Sequence, residues 1–205
     1  WTLALEPRGH KGMRFQPGQF AWINLRSSPF TEKEHPFSIS SSASDRSRLA
    51  FTIKALGDFT RTIKDTRIGE VVYVDGPYGA FTTDRHDHAR GFIFIAGGVG
   101  ITPMMSMLRT MADRRETRPL VLLYANRDWE AVIFREELEA LKERLNLNII
   151  HILEKPPEGW TGRSGYISRA VIEEVIPPGL KRNQVEVFLC GPPPMMRAVD
   201  RVIKE

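Results

Sequence analysis

Phe92-Ile-Phe-Ile-Ala-Gly-Gly-Val-Gly-Ile-Thr-Pro-Met-Met-Ser-Met-Leu108 is the stretch whose reading decides the architecture of this chain. Phe92–Ala96 is a short apolar run, the length and composition of a strand buried on both faces in a parallel sheet. Gly97, Gly98 and Gly100 then make a turn, and Thr102-Pro103 opens a helix. Threonine is read as the N-cap and proline as the first helical residue, where a missing N–H costs nothing. Strand, turn and helix start bring backbone N–H groups and the positive end of a helix dipole to one point, where an anion can sit. Glycine suits that point because a Cβ would hold phosphates away from the backbone. The spacing G-x-G-x-x-P is a variant of the dinucleotide fingerprint with proline in place of the third glycine. Such turns also join strands to helices with nothing bound, so the flanking sequence has to decide.

Downstream of Gly91 the pattern alternates between strand and helix. Pro119–Tyr124, Asn148–Leu153 and Val185–Cys190 read as further strands. Between them, Ile133, Phe134, Leu138, Leu141 and Leu145 mark one face of an amphipathic helix. Ser168 caps a helix carrying Val171, Ile172, Val175 and Ile176, and Pro177-Pro178-Gly179 stops it. Pro192–Pro194 lead into a last helix with Met195, Met196, Val199 and Val202 inward. This rhythm predicts an α/β doubly wound parallel sheet. Upstream, Phe20–Leu25, Leu49–Lys54 and Val71–Val74 are strand-like segments separated by Gly, Pro, Ser and Asp clusters, and only Thr60–Lys64 reads as helical. Short strands so spaced suggest a small antiparallel β-barrel. The sequence therefore reads as two domains, residues 1–86 and 87–205, with the polar, histidine-bearing Thr82–Arg90 at the boundary.

Composition narrows the class. The 205 residues are 41% apolar and 26% charged, ordinary for a soluble globular protein. No apolar run is long enough to cross a bilayer as a helix, and no signal peptide is visible. A formal charge of +4 is mild, and its lysines and arginines are dispersed. That argues against nucleic acid and suits a patch facing acidic partners or lipid headgroups. The single cysteine, Cys190, excludes an internal disulfide and an iron–sulfur cluster held by this chain's own thiolates, and points to a reducing compartment. Neither a Ser-His-Asp set nor an H-E-x-x-H motif is evident. Among five histidines only His86-x-His88 is a close pair, read as solvated rather than metal-binding. Trp1-Thr-Leu-Ala-Leu5 opens directly in a strand-like segment and Lys204-Glu205 closes on a helical pattern, so the chain reads as a fragment.

Five motifs follow one another: His35-Pro36-Phe37-Ser38, Lys54-Ala-Leu-Gly-Asp-Phe-Thr60, Gly76-Pro77-Tyr78-Gly79, Gly97–Pro103, and Cys190-Gly191-Pro192-Pro193-Pro194-Met195. In this order and at these separations the chain resembles the ferredoxin–NADP reductase superfamily over nearly its whole length. The His-Pro-Phe-Ser variant is similar to the branch containing ferric reductases and NADPH oxidases. The resemblance implies an antiparallel β-barrel FAD-binding domain followed by a parallel-sheet NADP-binding domain. FAD would lie along His35, Pro36, Phe37 and Ser38, with Phe37 against the isoalloxazine and Ser38 near flavin N5. His35 stands where many relatives carry arginine, a weaker and pH-dependent phosphate partner. Ile53, Lys54, Phe59 and Thr60 match the second FAD segment, where Lys54 can neutralise pyrophosphate. Gly98, Val99, Gly100, Ile101 and Thr102 would cradle the pyrophosphate of the nicotinamide nucleotide. Asn126 and Arg127 would face its adenosine end, and Arg163 its ribose 2′-phosphate. Two arginines favour NADPH over NADH, while Asp128 keeps NADH open. Cys190, Gly191 and Pro192 would lie beside nicotinamide C4. Taken singly, the same residues have plainer readings: a core phenylalanine, a solvated serine and lysine, a buried thiol.

The activity so implied is hydride transfer from NADPH to FAD and onward release of single electrons, with Ser38 and Cys190 beside the reacting atoms. The acceptor implied first is haem in a membrane domain of the same polypeptide, which would put these residues on the cytoplasmic face of a membrane. A free-standing reductase serving ferredoxin or flavodoxin, and a non-catalytic NADPH-binding module, are the alternatives. Relatives also continue into one more strand ending in an aromatic that covers the flavin, and this sequence stops at Glu205 before such a residue.

Overall fold

The computed structural model describes residues 1–25 and 34–204. Its strands are β1 (Thr2–Leu5), β2 (Phe20–Leu25), β3 (His35–Ser38), β4 (Leu49–Thr52), β5 (Val72–Tyr78), β6 (Gly91–Gly97), β7 (Leu120–Asn126), β8 (Leu147–Leu153), β9 (Arg163–Ser164) and β10 (Val185–Cys190). Its α-helices are α1 (Asp58–Thr62), α2 (Ile101–Asp113), α3 (Arg135–Lys142), α4 (Arg169–Glu174) and α5 (Pro193–Lys204).

Among the described residues the N-terminal half forms two antiparallel sheets, β3-β2-β5 and β1-β4. An isolated bridge between Ile39 and Phe51 links them. Ala21, Ile23, Ile39, Phe51, Ile53 and Ile63 fill the core they share, which is why these strands alternate apolar with polar residues. The C-terminal half is a five-stranded sheet in the order β10-β6-β7-β8-β9, with every pair parallel. Every residue of β6 is buried, which explains an apolar run with no alternation. Two strands escape the periodicity: β9, only two residues long, and β3, whose His-Pro-Phe-Ser carries no apolar alternation.

α2 joins the halves. Eleven residues of this helix are buried, so it is covered all round rather than amphipathic. Ile101, Met104, Met105, Leu108 and Met111 sit in the core with Phe92, Phe94 and Leu122 of the parallel sheet. On its other side a stripe of hydroxyls reaches the N-terminal half. Ser106 Oγ donates to the Ser41 carbonyl at 2.8 Å, and the Ala43 N–H donates to Thr110 Oγ1 at 2.8 Å. Arg109 donates to the Ser40 carbonyl and meets Glu137 of α3 in a two-pronged ion pair at 2.6 Å on each side.

The start of α2 differs from the sequence expectation. Gly98–Gly100 already form a 3-10 turn, Gly100 is the N-cap residue, and Thr102 lies inside the helix. The Thr102 hydroxyl donates to the Val99 carbonyl at 3.0 Å instead of capping an N–H. Pro103 is thereby the third helical residue, still within the turn whose N–H groups lack intrahelical partners. Phe134 likewise stands outside its helix, as the left-handed N-cap residue of α3 with φ +60°.

Candidate active site

All strands of the parallel sheet end on one side. The chain leaves β6 toward β7 on one flank and returns as β10 on the other, so the strand order reverses between β6 and β10. A crevice at the carboxyl ends of such strands is where α/β sheets bind ligands. Here it is built by Gly97–Thr102 from β6 and Cys190–Pro192 from β10.

The two segments touch backbone to backbone. A Cβ on Gly100 would stand 2.3 Å from the Cys190 carbonyl oxygen, and one on Gly191 would stand 3.1 Å from Gly97 Cα. A Cβ on Gly97 would stand 2.5 Å from Met195 Sδ and 2.8 Å from Pro192 Cδ. Glycine at 97, 100 and 191 therefore serves the packing of one turn on the other, not direct approach of a phosphate. Gly98 is different: its φ is +53° and a Cβ there would meet nothing within 4 Å, so its surface is open to a ligand. Ile101 is fully buried in the core and Val99 half-buried, so within this segment they hold the turn in shape.

Tyr124, buried in β7, holds the same turn from below. Its hydroxyl donates to the Gly98 carbonyl at 3.2 Å and accepts from the Ile133 N–H at 3.4 Å. Burial pushes its pKa up to about 12, so it remains a donor throughout the neutral range. Sequence reasoning passed over Tyr124, although a lone tyrosine within Leu-Val-Leu-Leu-Tyr-Ala-Asn needs a partner for its hydroxyl. Asn126 ends the same strand. It is 8% exposed, and neither of its side-chain amide atoms closes a hydrogen bond of ordinary geometry, although the amide lies near enough to the Tyr124 hydroxyl to oppose the rise in that group's pKa. A buried amide in that state fits a polar ligand arriving at the strand ends.

Arg127 is exposed, with its Nε 3.8 Å from Asp128 Oδ2. Arg163, on β9, is held by Glu174 of α4 at 2.5 Å, and its backbone carbonyl accepts from Trp160 Nε1 at 3.0 Å. The two arginines are thus placed differently: one lies beside a carboxylate at the end of β7, the other is paired toward α4. Cys190 is half-buried, and burial raises its pKa, so it stands at the crevice as a neutral thiol rather than a nucleophilic thiolate.

The other half of the site lies on β3, an edge strand of its sheet. The His35 ring stacks on Phe59 with centroids 3.7 Å apart, and Phe37 lies nearly parallel to Phe59 at 6.1 Å. His35, Phe37 and Phe59 thereby form one aromatic surface, with half-buried Ser38 at the strand end, while Pro36 is exposed. Thr60 is occupied in shaping its own turn. Its hydroxyl accepts from the Leu56 and Gly57 N–H groups at 2.9 and 2.8 Å and donates to the Gly57 carbonyl at 3.0 Å. A Cβ on Gly57 would meet nothing within 4 Å, and Lys54 is exposed beside it. Ile53 points into the core, and its backbone pairs with Trp1. An aromatic platform, an open glycine turn and an adjacent cation fit the ring and pyrophosphate of FAD. The open Gly98 turn and the orphaned Asn126 amide fit a pyridine nucleotide.

Comparison with known proteins agrees with both halves. Residues 94–201 match the family described as "Oxidoreductase NAD-binding domain", and residues 2–82 the family described as "FAD-binding domain". The chain is 34% identical over 149 residues to NADH-cytochrome b5 reductase 1 of Pyricularia oryzae, covering 71% of this chain and 47% of that protein. It is 32% identical over 197 residues to the glycine betaine monooxygenase reductase subunit of Chromohalobacter salexigens, covering 93% of this chain and 52% of that one. The chain thus spans about half the length of these curated relatives. Among solved structures, the CS-b5R domains of human Ncb5or in the NAD+ form superpose with a TM-score of 0.82 at 26% identity, over 99% of this chain and 61% of that one.

Proposed function

The chain belongs to the ferredoxin–NADP reductase superfamily of FAD- and NAD(P)-binding oxidoreductases, and on that footing we propose that it passes reducing equivalents from NADH through FAD to a haem protein. The observation that carries the reading is the Gly98 turn, open on its ligand side and backed by Cys190–Pro192, in a chain that also holds the aromatic surface of β3. FAD, when bound, accepts hydride from a nicotinamide and releases electrons one at a time.

In this reading residues 1–86 hold FAD and residues 87–205 the nucleotide. Phe37 lies against the flavin ring, Ser38 offers its hydroxyl near N5, and Lys54 neutralises pyrophosphate with the N–H groups around Gly57–Phe59. His35, stacked on Phe59, flanks the phosphates. Gly98, Val99 and the first turn of α2 receive the nucleotide pyrophosphate. Asn126 and Arg127 take the adenosine end. Neutral Cys190 sits beside nicotinamide C4, where a small side chain lets the two rings approach. The chain's own contribution is to fix that approach and exclude water from it.

The donor we favour is NADH, where the arginine pair read from the sequence points to NADPH. Support comes from Arg163 being engaged by Glu174, from Asp128 beside Arg127, and from a relative named for NADH. A haem acceptor is supported twice, by the relative named for cytochrome b5 and by the His-Pro-Phe-Ser resemblance. Attachment to a haem-bearing membrane domain is the finer form of this reading; among the described residues no helix is long and apolar enough to cross a membrane. The test is anaerobic stopped-flow mixing of FAD-loaded protein with NADH or NADPH, followed by addition of oxidised cytochrome b5 or ferredoxin. Rapid flavin bleaching by NADH and rapid haem reduction are expected. Bleaching by neither nucleotide would sink the enzyme reading, and preferential reduction of ferredoxin would replace the acceptor.

A further inference from the structure

The stretch between the two halves carries a cluster that hydride transfer does not use. After the 3-10 turn Thr83–Arg85, His86 and His88 fold against Glu186 of β10, a residue 98 positions from His88 in sequence. His86 Nδ1 lies 3.4 Å from Glu186 Oε2, and His88 Nε2 lies 2.9 Å from Glu186 Oε1. The three ligand atoms are all within 4.8 Å of one another. His86 Nδ1 is buried yet makes no hydrogen bond, and its ring packs edge-on against Phe188 at 5.4 Å. A buried ring nitrogen facing a carboxylate without closing a hydrogen bond is an orphan that calls for a third party.

We propose that His86, His88 and Glu186 bind a zinc ion that clamps the segment between the two halves to edge strand β10. Two imidazoles and one carboxylate are a zinc donor set, with bonds of about 2.0–2.2 Å. Two ligands at that range on one tetrahedral ion stand about 3.4 Å apart, which is the separation of His86 Nδ1 from Glu186 Oε2. Nitrogen donors disfavour magnesium and calcium, which take oxygen. Two histidines and a carboxylate can also hold reactive iron, but the His88 side chain is 70% exposed, so no water-excluded chamber adjoins the cluster. The fourth position falls to water. Binding keeps both histidines neutral and displaces any proton shared between His88 and Glu186.

The placement gives the ion a structural purpose. Glu186 pairs in register with Phe92, four residues before β10 ends at Cys190. Phe81, His86 and Phe188 pack as one aromatic group between the N-terminal half and the sheet. A clamp there would steady the edge strand that carries Cys190 and Gly191 into the crevice.

The experiment uses tag-free, FAD-loaded protein stripped with chelator and titrated with Co2+ and then Zn2+. One equivalent of Co2+ should give tetrahedral absorption at wavelengths beyond the flavin band, and Zn2+ should displace it and raise the melting temperature. His88→Ala and Glu186→Gln, at positions that can change without emptying the core, should each weaken Zn2+ binding at least tenfold and abolish the thermal shift. His10→Ala, at another exposed histidine, should leave both unchanged. Failure of the wild-type protein to take up one equivalent of either ion would overturn the proposal. So would His88→Ala and Glu186→Gln proteins that bind Zn2+ as tightly as wild type. Both results are independent of whether NADH reduces the flavin.

Discussion

Gly100 and Cys190 are packed so closely that a Cβ on the first would lie 2.3 Å from the carbonyl oxygen of the second. Gly100 has ordinary right-handed helical angles, φ −61° and ψ −7°, so alanine there is excluded by space and not by backbone conformation. Gly100→Ala should therefore lower stability by about 1–3 kcal/mol, the usual cost of overpacking. It should also push the two turns of the crevice apart and suppress flavin reduction by NADH. Gly98→Ala is the contrasting case, with open space but φ +53°. It should cost about 1–2 kcal/mol for the left-handed backbone and raise KM for nucleotide. Urea denaturation beside steady-state kinetics separates the two; equal stability of Gly100→Ala and wild type would contradict the packing argument.

Tyr124 supplies a donor to the Gly98 carbonyl from beneath the turn. Tyr124→Phe keeps the ring and removes the hydroxyl, leaving that carbonyl and the Ile133 N–H without this partner. A loss of about 1 kcal/mol is expected. If the hydroxyl sets the shape of the turn, KM for NADH should rise several-fold with little change in kcat, since the residue does not reach the reacting atoms. A fall in kcat at constant KM would place its effect elsewhere.

Glu174 holds Arg163 at 2.5 Å on a largely exposed surface. Such a pair contributes little to stability, so its removal should leave the melting temperature almost unchanged. Glu174→Gln should instead release a guanidinium able to meet a 2′-phosphate, raising the ratio of NADPH to NADH efficiency several-fold. An unchanged ratio would show that Arg163 does not reach the nucleotide.

His151 lies in β8 with its ring edge-on to Trp129 at 5.2 Å, and its Nδ1 is buried without a hydrogen bond. Desolvation holds its pKa below the usual 6.5, with Glu139 opposing that shift and Lys142 reinforcing it. The unfolded chain then binds a proton more readily than the folded one. Its contribution to stability is fully present above about pH 6.5 and is lost as pH falls through the lowered folded-state value. Thermal melts of wild type and His151→Leu across that window should diverge, with the wild type the more sensitive to acid. Parallel curves would remove His151 as the source.

Much of this protein was legible in local sequence. The run Phe92–Ala96, the glycine turn and the alternating segments after it announce a parallel sheet, because burial on both faces and turn chemistry act on residues that are neighbours in the chain. Strand Val185–Cys190 and the Ser168 cap emerge with the bounds that periodicity and capping imply. The motifs from which the site is proposed are short local segments: His35–Ser38 forms β3 itself, and Gly97–Pro103 runs from the end of β6 into α2. The tertiary structure alone decided what each of those residues faces. It sets Gly100 against Cys190, Tyr124 under Gly98, Arg163 beside Glu174, and His86 with His88 beside Glu186. It also moved Thr102 from cap to helix interior, because the 3-10 turn Gly98–Gly100 starts the helix early. These relationships depend on which strands lie side by side and how closely their backbones approach, and spacing along the chain carries no information about either.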